Sequence, residues 1–275
     1  MATSLTEVHQ PRTVSHAEWI EARKQFLKKE REFTHLRDEL SRQRRELPRE
    51  RVEKNYAFEG PRGTETLADL FDNRSQLMVY HFMFGPAWSE GCPSCSYLSD
   101  HFDGMTIHLA HRDVTLSVVS RAPFDQIAAY KKRMGWRFHW VSSSGSDFNF
   151  DYNVSLSEQD KAGGSMYYNY ATIPRSIDEL PGLSVFSRDP DGSIYHTYST
   201  YSRGLDILIG TYNFLDMAPR GRDEEGLKHS MAWVRHHDKY DSNYFVDAER
   251  GYEAPKTIAE VKAADATGHS CCSGH

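Results

Sequence analysis

The chain has four cysteines, unevenly placed. Cys92 and Cys95 form a Cys-Pro-Ser-Cys unit, while Cys271 and Cys272 are adjacent near the end. Two thiols one helical turn apart suit thiol–disulfide exchange, in which the first attacks a disulfide and the second resolves the mixed disulfide. The same spacing is also half of a zinc site. His269, Cys271, Cys272 and His275 would have to supply the remaining ligands, and neighbouring cysteines are awkward partners in a tetrahedron. Four cysteines in 275 residues are too sparse for a disulfide framework, so the CxxC reads as redox or metal. His236 and His237, followed by Asp238, invite a metal too. Adjacent helical histidines point about 100° apart and chelate poorly, so they read as surface residues. There is no GxGxxG, no Walker lysine motif and no GxSxG elbow, and no cofactor is implied.

The elements that must position the thiols follow from the apolar pattern. Leu77-Met-Val-Tyr-His-Phe-Met-Phe84, bounded by Gly85-Pro86, reads as a central strand buried on both faces. The CxxC lies a few residues beyond, opening a helix from Ser96 to about Phe102. Cys92 is thereby set at a helix N-terminus, where unpaired N–H groups and the helix dipole favour a thiolate. Pro93 suits the first helical turn, where its missing N–H would have no partner. Val114–Val119 and Phe138–Val141 are further strands, with Pro123–Met134 a helix between them. Leu183–Ser187, a turn at Asp189-Pro-Asp-Gly192 and Ile194–Tyr201 form a hairpin. Leu205, Leu208, Ile209, Tyr212 and Leu215 mark a closing helix ended by Pro219. Before the central strand, Val52–Phe58 is an expected strand, Gly60–Gly63 a turn and Thr64–Phe71 a short helix. Residues 142–171 read as loop. Tyr167, Tyr168 and Tyr170, with Trp136 and Trp140, are either core anchors or the wall of a pocket beside Cys92. The order βαβ then ββα describes an α/β layout with mixed strand directions.

Residues 16–47 form one long expected helix, with Ser15 as N-cap, Glu18 three residues on and Pro48 at the end. Trp19, Phe26, Phe33, Leu40 and Leu47 recur every seven residues, with Ala22 and Leu36 at the i+3 places. So narrow a stripe fits an arm packed on its own domain or a homodimer contact. The domains expected are a helical arm (1–51), an α/β domain (52–239) and a disordered Gly/Ala/Ser/His tail (240–275).

Composition limits the partners. Hydrophobic residues are 39%, charged residues 26% and the net charge is −6, which argues against nucleic acid. Residues 16–51 do hold eleven Lys/Arg against eight Asp/Glu, but with the signs interleaved, as on a solvated face. No apolar run approaches the ~18–20 residues of a membrane span, and no basic-then-apolar leader is visible, so a cytoplasmic protein is expected.

The order of elements and the Cys92–Cys95 unit resemble the thioredoxin fold, along which residues 77–217 can be laid. The resemblance implies a cis-proline opposite the CxxC, which falls on Pro181, and a neighbouring Leu180 that offers backbone hydrogen bonds to substrate. It also places His81 where thioredoxins carry a buried carboxylate, either as a proton acceptor for Cys95 or as a buried neutral histidine that only donates a hydrogen bond. The usual Trp-Cys-Gly-Pro-Cys is absent. The longer loop from His81 to Cys92 is more similar to peroxiredoxins, whose Pro/Thr-or-Ser/Cys signature is approximated by Pro86, Ser89 and Cys92 with one residue missing in the first gap. The segments His81-Phe-Met-Phe84, Gly91-Cys-Pro-Ser-Cys-Ser96, Met134-Gly-Trp136, Ser146-Asp-Phe-Asn149, His196–Gly204 and Trp233-Val-Arg-His-His237 resemble a bacterial thioredoxin-like family catalogued as domain of unknown function 899.

The expected function is a thiol–disulfide oxidoreductase with Cys92 as nucleophile and Cys95 resolving. The expected catalytic set is Cys92, Cys95, Pro181 and His81, with Leu180, Trp88, Pro93 and Ser94 in contact with substrate. The expected partner is a protein disulfide or a low-molecular-weight thiol. A peroxidase acting through Cys92 and a non-catalytic binding or dimerisation module are the alternatives.

Overall fold

A computed structural model describes residues 12–174 and 177–240, so the tail beyond Tyr240, with Cys271 and Cys272, lies outside the described residues. The chain divides into two compact units, Met1–Pro48 and Arg49–His275. Among the described residues, the first unit is a single helix, α1 (His16–Arg45). It is closed at its start by the expected capping box, in which Ser15 and Glu18 satisfy each other's backbone N–H groups.

The second unit is built on an eight-stranded sheet. Its strands are β1 (Glu50–Arg51), β2 (Ala57–Gly60), β3 (Gly63–Thr66), β4 (Gln76–His81), β5 (Val114–Ser120), β6 (His139–Ser142), β9 (Gly182–Arg188) and β10 (Ile194–Tyr201). Their spatial order is β1-β10-β9-β4-β5-β6-β2-β3. A separate two-stranded ribbon, β7 (Ser165–Tyr168) with β8 (Ala171–Pro174), lies in the long connection before β9. β4 is central, parallel to β5 on one side and antiparallel to β9 on the other. Helices α2 (Pro93–Ser99) and α3 (Phe102–Ala110) carry the chain from β4 to β5, and α4 (Phe124–Arg133) carries it from β5 to β6. With the β9–β10 hairpin and the closing α7 (Gly210–Leu215), this is the βαβ-then-ββα core of a thioredoxin-like α/β fold.

Both faces of the sheet are covered, which is why Leu77, Met78, Val79 and Tyr80 follow one another in β4 without a polar break. One core holds Tyr80 and Phe82 of the β4 line against Leu98, Phe102, Ile127 and Tyr212 from the helices. The other holds Leu77 and Val79 against Phe58, Phe71, Phe148 and Tyr152. The alternation of a strand assigns neighbouring residues to opposite cores.

Three expectations are corrected. Thr64–Thr66 is strand rather than helix, because the Gly60–Gly63 turn folds it back onto Ala57–Glu59, and only Asp69–Phe71 forms a 3-10 turn. The expected strand at Val52–Phe58 starts only at Ala57. The stretch 142–171 holds helices α5 (Phe148–Asp151) and α6 (Glu158–Gly163) besides β7. Among the described residues, no helix is long and apolar enough to cross a membrane.

Candidate functional site

Past β4 the chain continues through Phe82–Phe84, loops out, and returns so that the Cys92 N–H donates to the Met83 carbonyl at 3.0 Å. Two glycines make the loop tight. A Cβ on Gly85 would meet the Trp88 indole at 3.0 Å and the Glu179 Cγ at 3.3 Å; on Gly91 it would sit 2.6 Å from the Phe82 ring and 2.8 Å from Tyr130. Cys92 is the N-cap of α2 with extended backbone (φ −58°, ψ 131°), and Pro93 stands in the first turn, as the sequence indicates. Cys92 is partly exposed and Cys95 is buried. Both are free thiols.

The two sulfurs are electrostatically unequal. Cys92 is lowered from its ordinary 9.0 to about 7, first by a hydrogen bond from the Cys95 thiol. Burial opposes this, and the N–H groups of Cys95 and Ser94 and the Ser94 hydroxyl add to it. Cys95 moves the other way: burial raises it well above the ordinary value, and its neighbour Cys92 raises it further. The Cys95 sulfur also accepts from the Met83 N–H at 3.5 Å. The pair therefore holds one exposed sulfur that ionises near neutral pH and one enclosed sulfur that keeps its proton.

The buried group that reaches Cys95 is Tyr80, whose hydroxyl hydrogen-bonds the thiol from the same core. Of the two roles expected for His81, the structure leaves the buried neutral histidine and not the proton acceptor for Cys95. A shift of one residue along a strand moves a side chain to the other face, and His81 stacks on Phe148 and Tyr152 in the opposite core. There its Nε2 bonds Ser184 Oγ at 2.9 Å, Ser184 bonds Ser199 at 2.9 Å, and Ser199 bonds His196 Nε2 at 2.7 Å. Burial lowers His81 to about 3, so it stays neutral. Tyr80 was readable as a core residue, but only the register of β4 shows which of two adjacent polar side chains faces the thiols.

The β4–β9 register places Gly182 opposite His81, which brings Pro181 and Leu180 to the end of the sheet where the Cys92 loop starts. The expected cis bond is absent: among the described residues every peptide bond is trans, Leu180–Pro181 included. Nor is the Leu180 N–H open to a ligand, because it donates to the Val154 carbonyl at 2.8 Å. Leu156 N–H likewise donates to Asp178, so the insertion before β7 occupies the strand edge that the resemblance offered to substrate. The Pro181 carbonyl accepts from the Tyr168 hydroxyl at 2.7 Å. Trp88 packs against the helix-side core, next to a buried ion pair of Glu179 with Arg121 at 3.0 Å. Burial raises the Glu179 carboxyl, while Ser155 and Arg121 oppose the rise. Of the other expected contacts, Pro93 is exposed and Ser94 partly so. Trp136 and Trp140 are core, not a pocket wall.

Sequence reasoning also missed a strap, residues 231–240. His236 is buried, not on the surface, and its Nε2 donates to the Gly91 carbonyl at 2.8 Å, one residue before Cys92. Around it Lys239 pairs with Glu90, Arg133 with Glu90 and Asp238, and His237 with Asp100. Glu224 fixes the start of the strap, accepting from Trp233, Tyr212 and the Met231 N–H. The residues converging on the CxxC loop thus come from the β4 end, the 178–181 segment and the strap.

Among solved structures, the chain is similar to peroxidoxin BcpB from Mycobacterium tuberculosis (13% identity, 60% of this chain and 95% of that one, TM-score 0.40). It is also similar to a PrxQ mutant from Xylella fastidiosa (12%, 60% and 94%, 0.39). A third is a putative thiol:disulfide interchange protein DsbE from Chlorobium tepidum (12%, 59% and 96%, 0.35). Similarity this low says nothing of what the chain reacts with. No curated protein matches significantly. The family described as bacterial protein of unknown function (DUF899) matches residues 8–240, and the chain belongs to it.

Proposed function

We propose that the protein is a thiol–disulfide oxidoreductase acting on a protein disulfide or a small disulfide. The observation that carries this reading is the asymmetry of the pair: a partly exposed Cys92 at a helix N-terminus, ionising near 7, with a buried, protonated Cys95 one turn away. The Cys92 thiolate attacks one sulfur of the substrate; a Cys92–substrate disulfide forms and the other substrate sulfur leaves as thiolate. Cys95 then gives up its proton to the thiolate expelled in the first step and attacks Cys92 Sγ. The Cys92–substrate bond breaks as the Cys92–Cys95 disulfide forms, the second substrate sulfur leaves as a thiolate, and two electrons have passed from the dithiol to the substrate. The Tyr80 hydroxyl supports the charge that develops on Cys95 during that step.

The test is a pair of serine variants incubated with a mixed-disulfide reporter and read by peptide mass. Cys95→Ser should accumulate a covalent adduct at Cys92, and Cys92→Ser should accumulate almost none. Equal trapping by the two variants would overturn the assignment. A Cys95→Ser protein that gives a sulfenic acid at Cys92 with low peroxide, but no adduct with disulfides, would move the reading to a peroxidase.

A further inference from the structure

The first unit carries the most exposed apolar side chains of any helix described. Not one residue of the 30-residue α1 is buried. Trp19, Phe26, Phe33, Leu36 and Leu40 are each more than half exposed, where a helix of this length normally hides its apolar stripe. We propose that this stripe is the seam of a parallel, in-register coiled coil with a second copy of the same chain.

Three observations commit the stripe to a second copy. The first is the period. With Trp19 as a, positions 26, 33 and 40 repeat every seven residues, and Ala22 and Leu36 take d, the 3.5-residue pattern that keeps one seam facing one partner. Charge is the second. In that frame the g row is Glu18, Gln25, Glu32 and Glu39, and the e row is Arg23, Glu30, Arg37 and Arg44. A parallel dimer sets each g residue beside the e residue five positions on in the partner copy. Glu18 then meets Arg23, Glu32 meets Arg37 and Glu39 meets Arg44. The third is orientation: an antiparallel pair would set g against g and e against e, mostly Glu on Glu and Arg on Arg. The pattern is complementary to itself in one direction only. Lys29 and Gln43 interrupt the d row, which weakens the seam.

Sedimentation velocity on the full chain with reductant tests this. The protein should pass from monomer to dimer between roughly 0.5 and 50 µM. Phe26→Asp combined with Phe33→Asp should leave it monomeric throughout, with Cys92 alkylated at the wild-type rate, showing that the α/β unit remains folded. Glu32→Arg alone should weaken the dimer about tenfold, since both copies change. Adding Arg37→Glu should restore it. Glu32 and Arg37 lie about 140° apart on their own helix, so rescue reports a contact between copies. A chain that stays monomeric at 50 µM, a dimer unmoved by the double aspartate, or a charge swap without rescue would each overturn the proposal.

Discussion

Cys92 and Cys95 differ in what each touches, and that difference is measurable. The largest influence holding Cys92 near 7 is the hydrogen bond from Cys95. The rate of Cys92 alkylation should therefore rise through pH 7 and level off by about 8.5. Replacing Cys95 with alanine should move that midpoint upward, toward the ordinary thiol value; an unmoved midpoint would mean the backbone N–H groups alone set it. Tyr80 and His81 make a second contrast. Tyr80→Phe removes the hydroxyl that bonds Cys95, so the second step should slow about tenfold, the effect of losing one buried donor to a developing anion. His81→Phe should leave the alkylation profile of Cys92 where it was. If His81→Phe slows resolution and Tyr80→Phe does not, the face assignment at β4 is wrong. The thiols were legible from spacing and helix position. Which neighbour serves them was not, because Tyr80 and His81 are both polar and apolar-flanked and differ only by the parity of the strand.

At the scale of elements, the legible parts were those whose own residues dictate their form. β4 is apolar on both faces because both faces are covered, and α1 carries its own capping box. The stretch 142–171 was illegible for the opposite reason. Four residues of α5 cannot hold a helix alone; it persists because Phe148 is buried against Tyr56, Phe58 and Tyr152. The strap's packing had no local signal, since the burial of His236 depends on a carbonyl 145 positions earlier. Gly91 is where strap, core and thiol meet. Gly91→Ala would push a methyl into Phe82 and Tyr130, two packed rings, and should cost roughly 1–3 kcal/mol in urea denaturation. The same variant should make Cys92 react faster with alkylating reagents, since a displaced Gly91 releases the loop from His236. A destabilised protein with unaltered thiol reactivity would show that loop and thiol are not coupled.

Among the described residues of the α/β unit, five histidines are lowered mainly by burial: His81 to about 3, and His101, His139, His196 and His236 in the same direction. A histidine held neutral in the fold takes a proton only once the chain unfolds. Its contribution is therefore fully present above its ordinary 6.5 and is lost as the pH falls from there toward the folded value. Each such proton costs about 1.4 kcal/mol per pH unit. Glu179, raised by burial, opposes the trend only near the carboxylate range. The reduced thiol acts at the other end: Cys92 ionises near 7 in the fold and near its ordinary 9.0 when unfolded, so stability grows between those values and is lost below 7. The reduced protein should thus be most stable near pH 9 and weaken steeply below pH 6. Urea titrations from pH 5 to 9 on the wild type and on His81→Phe check this. The variant loses the bond to Ser184 and should be less stable at pH 8, yet its slope between pH 5 and 6 should be shallower by about one proton, or 1.4 kcal/mol per pH unit. Parallel slopes would mean that His81 takes up its proton without unfolding, and that the His81–Ser184–Ser199–His196 chain opens to solvent in the native state.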